Sequence, residues 1–228
     1  MSNWHEELGV FDLETTGVNV DTARIVSAHV GVIDDTGTIV NRFDWLVDPG
    51  VEIPPQATAV HGITTDRARN DGRPAAEAVA EIVAELRTLF ERNVPVVAYN
   101  APYDFSLLHR EAVRYGVLPL ESPAPIIDPL VIDKAVDKYR PGKRTLEITA
   151  AHYGVDLLAA HDAGADAIAA GRVAQAIARE HAAELALEAA ELHVLQIKWS
   201  REQAEDFQAY MRRVKDPEFT ASGVWPLR

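Results

Sequence analysis

Two carboxylates, Asp12 and Glu14, end the apolar run Leu8-Gly9-Val10-Phe11, and two hydroxyls and a glycine follow at Thr15, Thr16 and Gly17. In an extended strand successive side chains alternate, so Asp12 and Glu14 share one face while Phe11 and Leu13 take the other. Neighbouring carboxylates repel unless something neutralises them, and a hard divalent cation with oxygen ligands does so naturally. Such a pair alone also fits a strand running into a solvated acidic turn. Further along, Tyr99-Asn100-Ala101-Pro102-Tyr103-Asp104 follows the apolar run 94–98 and places Asp104 at a helix start. That end of the strands in an α/β sheet is where sites form. His161 precedes a helix with Asp162 as its N-cap and Asp166 in its first turns.

The elements that must hold these residues can be read from periodicity. Residues 24–33 and 38–47 alternate around the turn Asp34-Asp35-Thr36-Gly37, which with the first strand makes three antiparallel strands before any helix. Residues 48–73, with Asp48-Pro49-Gly50 and Pro54-Pro55, read as a loop that contains His61-Gly62-Ile63. Residues 74–92 and 103–115 have helical spacing, with the short buried strand 94–98 between them. Helices follow at 128–138, 145–153 and 162–179, and a long helical pattern runs from 182 to about 214. The expected organisation is a domain over 1–181 and a helical extension with a tail over 182–228, the tail either tied down through Phe219 and Trp225 or loosely ordered.

Composition sets limits on function. At 228 residues and 47% hydrophobic the chain can bury a core without staples. With 22 Lys+Arg against 35 Asp+Glu its net charge is −13, so any nucleic-acid site must be local. The lack of cysteine excludes disulfides, thiolate catalysis and cysteine-ligated zinc. No run reaches the ~18 apolar residues of a membrane span, and the start has no basic then apolar leader. A cytoplasmic protein with no membrane contact is the expectation.

The ordered set Asp12-x-Glu14, Asn100-Ala101-x-x-Asp104 and His161 with Asp166 resembles the DEDDh 3′–5′ exonuclease superfamily. The resemblance runs from about Leu8 to Arg179 and includes a His61-Gly62-Ile63 segment similar to one that family uses on the substrate side. Tyr103 stands where phenylalanine is usual, Tyr99 where histidine is common, and Gly164 lies in a helical first turn; none of these removes an acid. The resemblance implies a ribonuclease H-like mixed sheet, three antiparallel strands and then parallel ones, flanked by helices. It also implies two-metal phosphodiester hydrolysis with Mg²⁺ or Mn²⁺. Asp12 would bridge both ions, Glu14 and Asp166 would hold one of them, and Asp104 would help hold the other. His161 would be the general base. Thr15, Thr16, Gly17, Asn100 and His61 would meet the terminal nucleotide.

Lys134, Lys138, Arg140, Lys143 and Arg144, with Tyr139 among them, gather just before the third motif. They read as a phosphate track, with Lys143 and Arg144 as its substrate-binding members, or as a solvated basic helix end. The expected activity is removal of nucleoside monophosphates from 3′ ends of single-stranded DNA. Its alternatives are a short-RNA exoribonuclease and a catalytically silent binding module of the same fold. No clamp-binding segment of the Gln-Leu-x-Leu-Phe kind is found, so polymerase association is not supported. The extension is read as a surface for a homodimer, for partner docking or for capping.

Overall fold

The structure is a computed structural model that describes residues 3–157 and 161–228. The first three strands, β1 (Leu8–Thr15), β2 (Ile25–Ile33) and β3 (Ile39–Asp48), form the antiparallel meander that alternation predicts. Two short strands, β5 (Val96–Val97) and β6 (Ile126–Ile127), then add in parallel beside β1. With the two-residue β4 (Arg73–Pro74) on the far edge, the sheet order is β4-β3-β2-β1-β5-β6. β5 is shorter than the apolar run 94–98 suggests, and β6 carries too few residues to show a period.

The region 48–73, expected as a loop, contains two short helices, α1 (Pro55–His61) and α2 (Thr65–Asp71). Proline starts α1, Gly62 ends it with φ +73°, and the Thr64 hydroxyl caps α2 by accepting from the Arg67 N–H. Each is under two turns, too short for a repeat to declare itself. Ile53, Ile63 and Ala68 pack with Val26 of β2, which fixes His61 near the sheet.

Helices cover both faces. Phe11, Leu13, Ala28 and Val30 pack against α3 (Ala75–Glu91) and α4 (Ala101–Arg114) through Val79, Ile82, Leu86, Phe105 and Leu108. Leu8, Val10 and Ile33 face α7 (Ala163–Glu180). This helix is rich in alanine because it lies close to the strands. A Cβ on Gly171 would stand 2.6 Å from Val10 Cγ1 and 2.7 Å from an Ile33 methyl.

On the α7 side, α5 (Pro129–Val136) and α6 (Leu146–His152) are joined by the basic segment. Its two arginines turn inward. Arg140 and Arg144 both donate to fully buried Asp133, which also accepts from the Tyr153 hydroxyl at 2.9 Å. α8 (Ala189–Val214) begins seven residues later than the periodicity suggests and is opened by a capping box between Glu188 and Glu191. It covers the β6 edge with side chains. Gln196 accepts from the Asp128 N–H at 2.6 Å and donates to the Ile126 carbonyl at 3.0 Å, while His193 Nδ1 accepts from the Ile126 N–H. An edge strand's open groups are thereby satisfied within the chain. Beyond α8, buried Trp225 donates through Nε1 to Asp128, and the Arg228 N–H reaches Ser106 of α4. Among the described residues no helix is long and apolar enough to cross a membrane.

Candidate active site

β1 delivers Asp12 and Glu14 to the α7 face of the sheet, and the first turn of α7 brings Asp166 over them. Asp104 arrives from the side, in the first turn of α4. That helix begins at Asn100, which adopts φ +65° and ψ +46°, a left-handed conformation that asparagine tolerates. Asp128 holds the start of the helix from below by accepting the Asn100 and Ala101 N–H groups, both at 3.0 Å. Asp104 is buried, whereas Asp12, Glu14 and Asp166 keep an opening to solvent.

Electrostatics shows how close the acids are. Burial pushes the Asp12 carboxyl well above the usual carboxylate range, and repulsion from Asp104, Glu14 and Asp166 adds to it. Burial likewise raises Asp104. Glu14 is pushed up to about 8 by burial and then by Asp166 and Asp162. Asp166 is raised by burial, against a lowering contribution from the His161 N–H that it accepts at 3.1 Å. One Asp166 oxygen, Oδ1, is buried with no hydrogen-bond partner. Ligand atoms of Glu14, His161 and Asp166 all lie within 4.8 Å of one another. Crowded carboxylates with an orphaned oxygen fit a hard divalent cation, whose charge would replace the protons they otherwise retain.

A stability profile follows from the direction of these shifts. Between Glu14's ordinary 4.5 and about 8 the folded chain binds a proton that the unfolded chain has released, so stability falls as pH rises through that window. A bound cation opposes the fall because it displaces the proton. The melting temperature of metal-free protein is therefore expected to drop between about pH 5 and about pH 8.5, with added Mg²⁺ or Mn²⁺ restoring most at the alkaline end. Thermal scans with and without chelator check this, and identical flat profiles would separate the acids from metal binding.

The remaining sequence candidates divide. Thr15 and Gly17 lie at the lip of the site, where the Tyr103 hydroxyl is 2.5 Å from both Thr15 Oγ1 and the Gly17 carbonyl. The Thr16 hydroxyl is turned back onto the Arg24 N–H. His61 accepts the Ile63 N–H on Nδ1 and leaves a buried Nε2 without a partner. It lines a cleft of about 200 Å³ together with Ser27, Arg67, His161 and Asp162. Lys143 is exposed, with no carboxylate within 4 Å among the described residues. Arg144 is different, since its guanidinium is spent on Asp133 and on the carbonyls of Asp133, Asp137 and Arg140. Arg140 is likewise paired with Asp133 and Asp137, and Lys138 with Asp206 of α8.

Sequence reasoning passed over His29, Asp44 and Arg42. The ladder register sets Asp12 opposite His29 and His29 opposite Asp44, so all three share the α7 face. Alternation along β2 and β3 carries that information once the register is known.

The geometry agrees with what comparison finds. An exonuclease family model, RNase T, matches residues 10–174. The chain is 30% identical over 169 residues to the DNA polymerase III subunit epsilon of Treponema pallidum, covering 72% of each chain. It is 38% identical over 115 residues to an uncharacterized exonuclease of Escherichia phage 186, covering 50% of this chain and 54% of that one. In fold it is similar to E. coli exonuclease I solved with a dA16 oligonucleotide, with a TM-score of 0.67 at 20% identity over 79% of this chain and 42% of that one. The present chain thus spans under half the length of that exonuclease. A family model that runs from the strand bearing Asp12 into the helix bearing Asp166, over the same mixed sheet, makes this chain a member of the RNase T exonuclease family, within the DEDDh 3′–5′ exonuclease superfamily.

Proposed function

We propose that the chain is a divalent-metal-dependent exonuclease that removes nucleoside monophosphates from the 3′ ends of single-stranded nucleic acid, with DNA preferred over RNA. The observation that carries this reading is the convergence of Asp12, Glu14, Asp104 and Asp166, with Asp166 Oδ1 buried and unpartnered. In this reading Asp12, Glu14 and Asp166 would hold one Mg²⁺ or Mn²⁺, and Asp104 with Asp12 would help hold a second. Such ions supply positive charge to the phosphate oxygens of an in-line displacement. His161 takes the proton from the attacking water. Its backbone N–H bond to Asp166 keeps the ring beside the acids, as a base within reach of its proton requires. The Thr15–Gly17 lip, closed from behind by Tyr103, meets the sugar of the terminal nucleotide, and His61 Nε2 offers it a polar contact. Preference for DNA is drawn from the exonuclease I relative, whose structure was solved with an oligodeoxynucleotide.

Labelled single-stranded DNA and RNA of one sequence, digested side by side with Mg²⁺, with Mn²⁺ and with chelator, test the proposal. Mononucleotides released progressively from the 3′ end of DNA, only with metal, are expected. Faster RNA cleavage would move the substrate to short RNA, and no cleavage of either would make the chain a silent module.

Lys143 and Arg144 separate in this reading. Lys143→Ala should leave stability unchanged, weaken binding of single strands and reduce the salt slope by about 0.7. Arg144→Ala should destabilise by about 1–3 kcal/mol, because buried Asp133 then keeps only Arg140 and Tyr153 and three carbonyls lose their donor. Salt-dependent binding for the first and denaturant unfolding for the second are the measurements. An unchanged slope would return Lys143 to an ordinary surface residue.

A further inference from the structure

The first turn of α7 rests on polar side chains of the sheet that no step above employs. His29 is fully buried, and its Nδ1 lies 2.8 Å from Asp44 Oδ1. Arg42 Nε donates to the other Asp44 oxygen at 2.7 Å. Where a Cβ on Gly164 would stand, Arg42 Nη2, Asp44 Oδ1 and Asp162 Oδ1 are each 3.2 Å away. Asp162 is itself fixed, because its Oδ1 caps α7 by accepting the Ala165 N–H at 3.0 Å. The backbone of Gly164 therefore packs against the Arg42–Asp44 pair and the Asp162 cap, and a side chain there would press directly on all three.

Each member has a distinct part. The buried imidazole fixes one Asp44 oxygen, and the carboxylate then fixes the guanidinium through Nε. The planar fork then leaves Nη2 3.2 Å from where a Gly164 side chain would begin, at the start of α7. An ammonium in place of the fork would hold Asp44 without placing a second nitrogen at Gly164. Two residues beyond Gly164 stands Asp166, and three residues before it stands His161.

We propose that His29, Asp44 and Arg42 form a latch that fixes the first turn of α7 and so sets His161 and Asp166 in place against Asp12 and Glu14. They are positioning residues, and the proposal rests on the reading of His161 and Asp166 as working groups. Displacement of a catalytic group by about 1 Å can cost about a hundredfold in rate, so a fixed seat for this turn matters. Arg42 is half-exposed, so its replacement leaves the core intact.

Arg42→Gln and Gly164→Ala in the full chain provide the test. Both should lower kcat about tenfold while KM for an oligonucleotide stays within about twofold. Arg42→Lys should fail to restore the rate, for want of the fork. The midpoint for Mn²⁺ binding without substrate, read from the free-ion resonance signal, should rise severalfold. Amide exchange at His161 and over residues 163–166, measured without metal, should quicken while the rest of the chain is unchanged. Exchange at that turn equal to the parent's, or quickened evenly along the whole chain, overturns the latch. If exchange responds as expected but the parent binds no Mn²⁺, the latch stands and the metal reading is what has failed.

Discussion

Asp12→Ala is expected to abolish exonuclease activity and to leave the metal-free protein as stable as the parent or slightly more so. Asp12 carries a carboxyl raised most by burial, with Asp104, Glu14 and Asp166 adding to the rise. Removing it relieves repulsion in the absence of metal, which is why stability should not fall. What goes is the charge scaffold, and a metal contributes several kcal/mol to a developing phosphate transition state. At 1.36 kcal/mol per decade that is about three to four decades in rate. Asp104→Asn, which keeps the volume of a buried side chain, should fail as completely. Single-turnover cleavage beside denaturant unfolding decides the matter, because joint loss of activity and cooperative unfolding would make these acids structural.

His161→Ala is expected to reduce turnover by about 10²–10⁴ while metal and substrate affinities survive. The ring sits with Glu14 and Asp166 inside one 4.8 Å group, so geometry alone permits it to ligate a cation as well as to take a proton. Mn²⁺ titration separates the two roles. An unchanged midpoint with a large loss of turnover identifies the base, and a midpoint that rises in step with the lost turnover identifies a ligand. Turnover within a few-fold of the parent would remove His161 from the chemistry. Saturating substrate and metal are needed, so that the measured step is the proton transfer.

The sheet was legible because its main strands are long enough to show a period. Alternation over 24–33 and 38–47 locates β2 and β3 within a residue or two, and the apolar run before Asp12 locates β1. β4 and β6, at two residues each, have no period to show, and α1 and α2 hold too few turns for a helical repeat. The acids that the structure brings together stood out because they end strands or begin helices, where backbone geometry makes side chains converge. The basic segment divides for a physical reason. Charge count does not reveal pairing, and Arg140 and Arg144 are committed to Asp133, a carboxylate with nothing nearby in sequence to mark it as buried. His29 and Asp44 were missed because their partnership depends on the register of three strands.

Asp128, at the foot of the helix that presents Asp104, draws its donors from widely separated parts of the chain: Asn100, Ala101, Leu130 and, ninety-seven positions later, Trp225. Synthesis proceeds from the N-terminus, so the first three donors emerge well before the fourth. A growing polypeptide that has already displayed every acid still lacks the indole that closes over Asp128 and the segment that reaches Ser106 on the same helix. Closure over Asp128, beneath the helix that carries Asp104, is thereby completed only once residue 225 has emerged, later than Asp166.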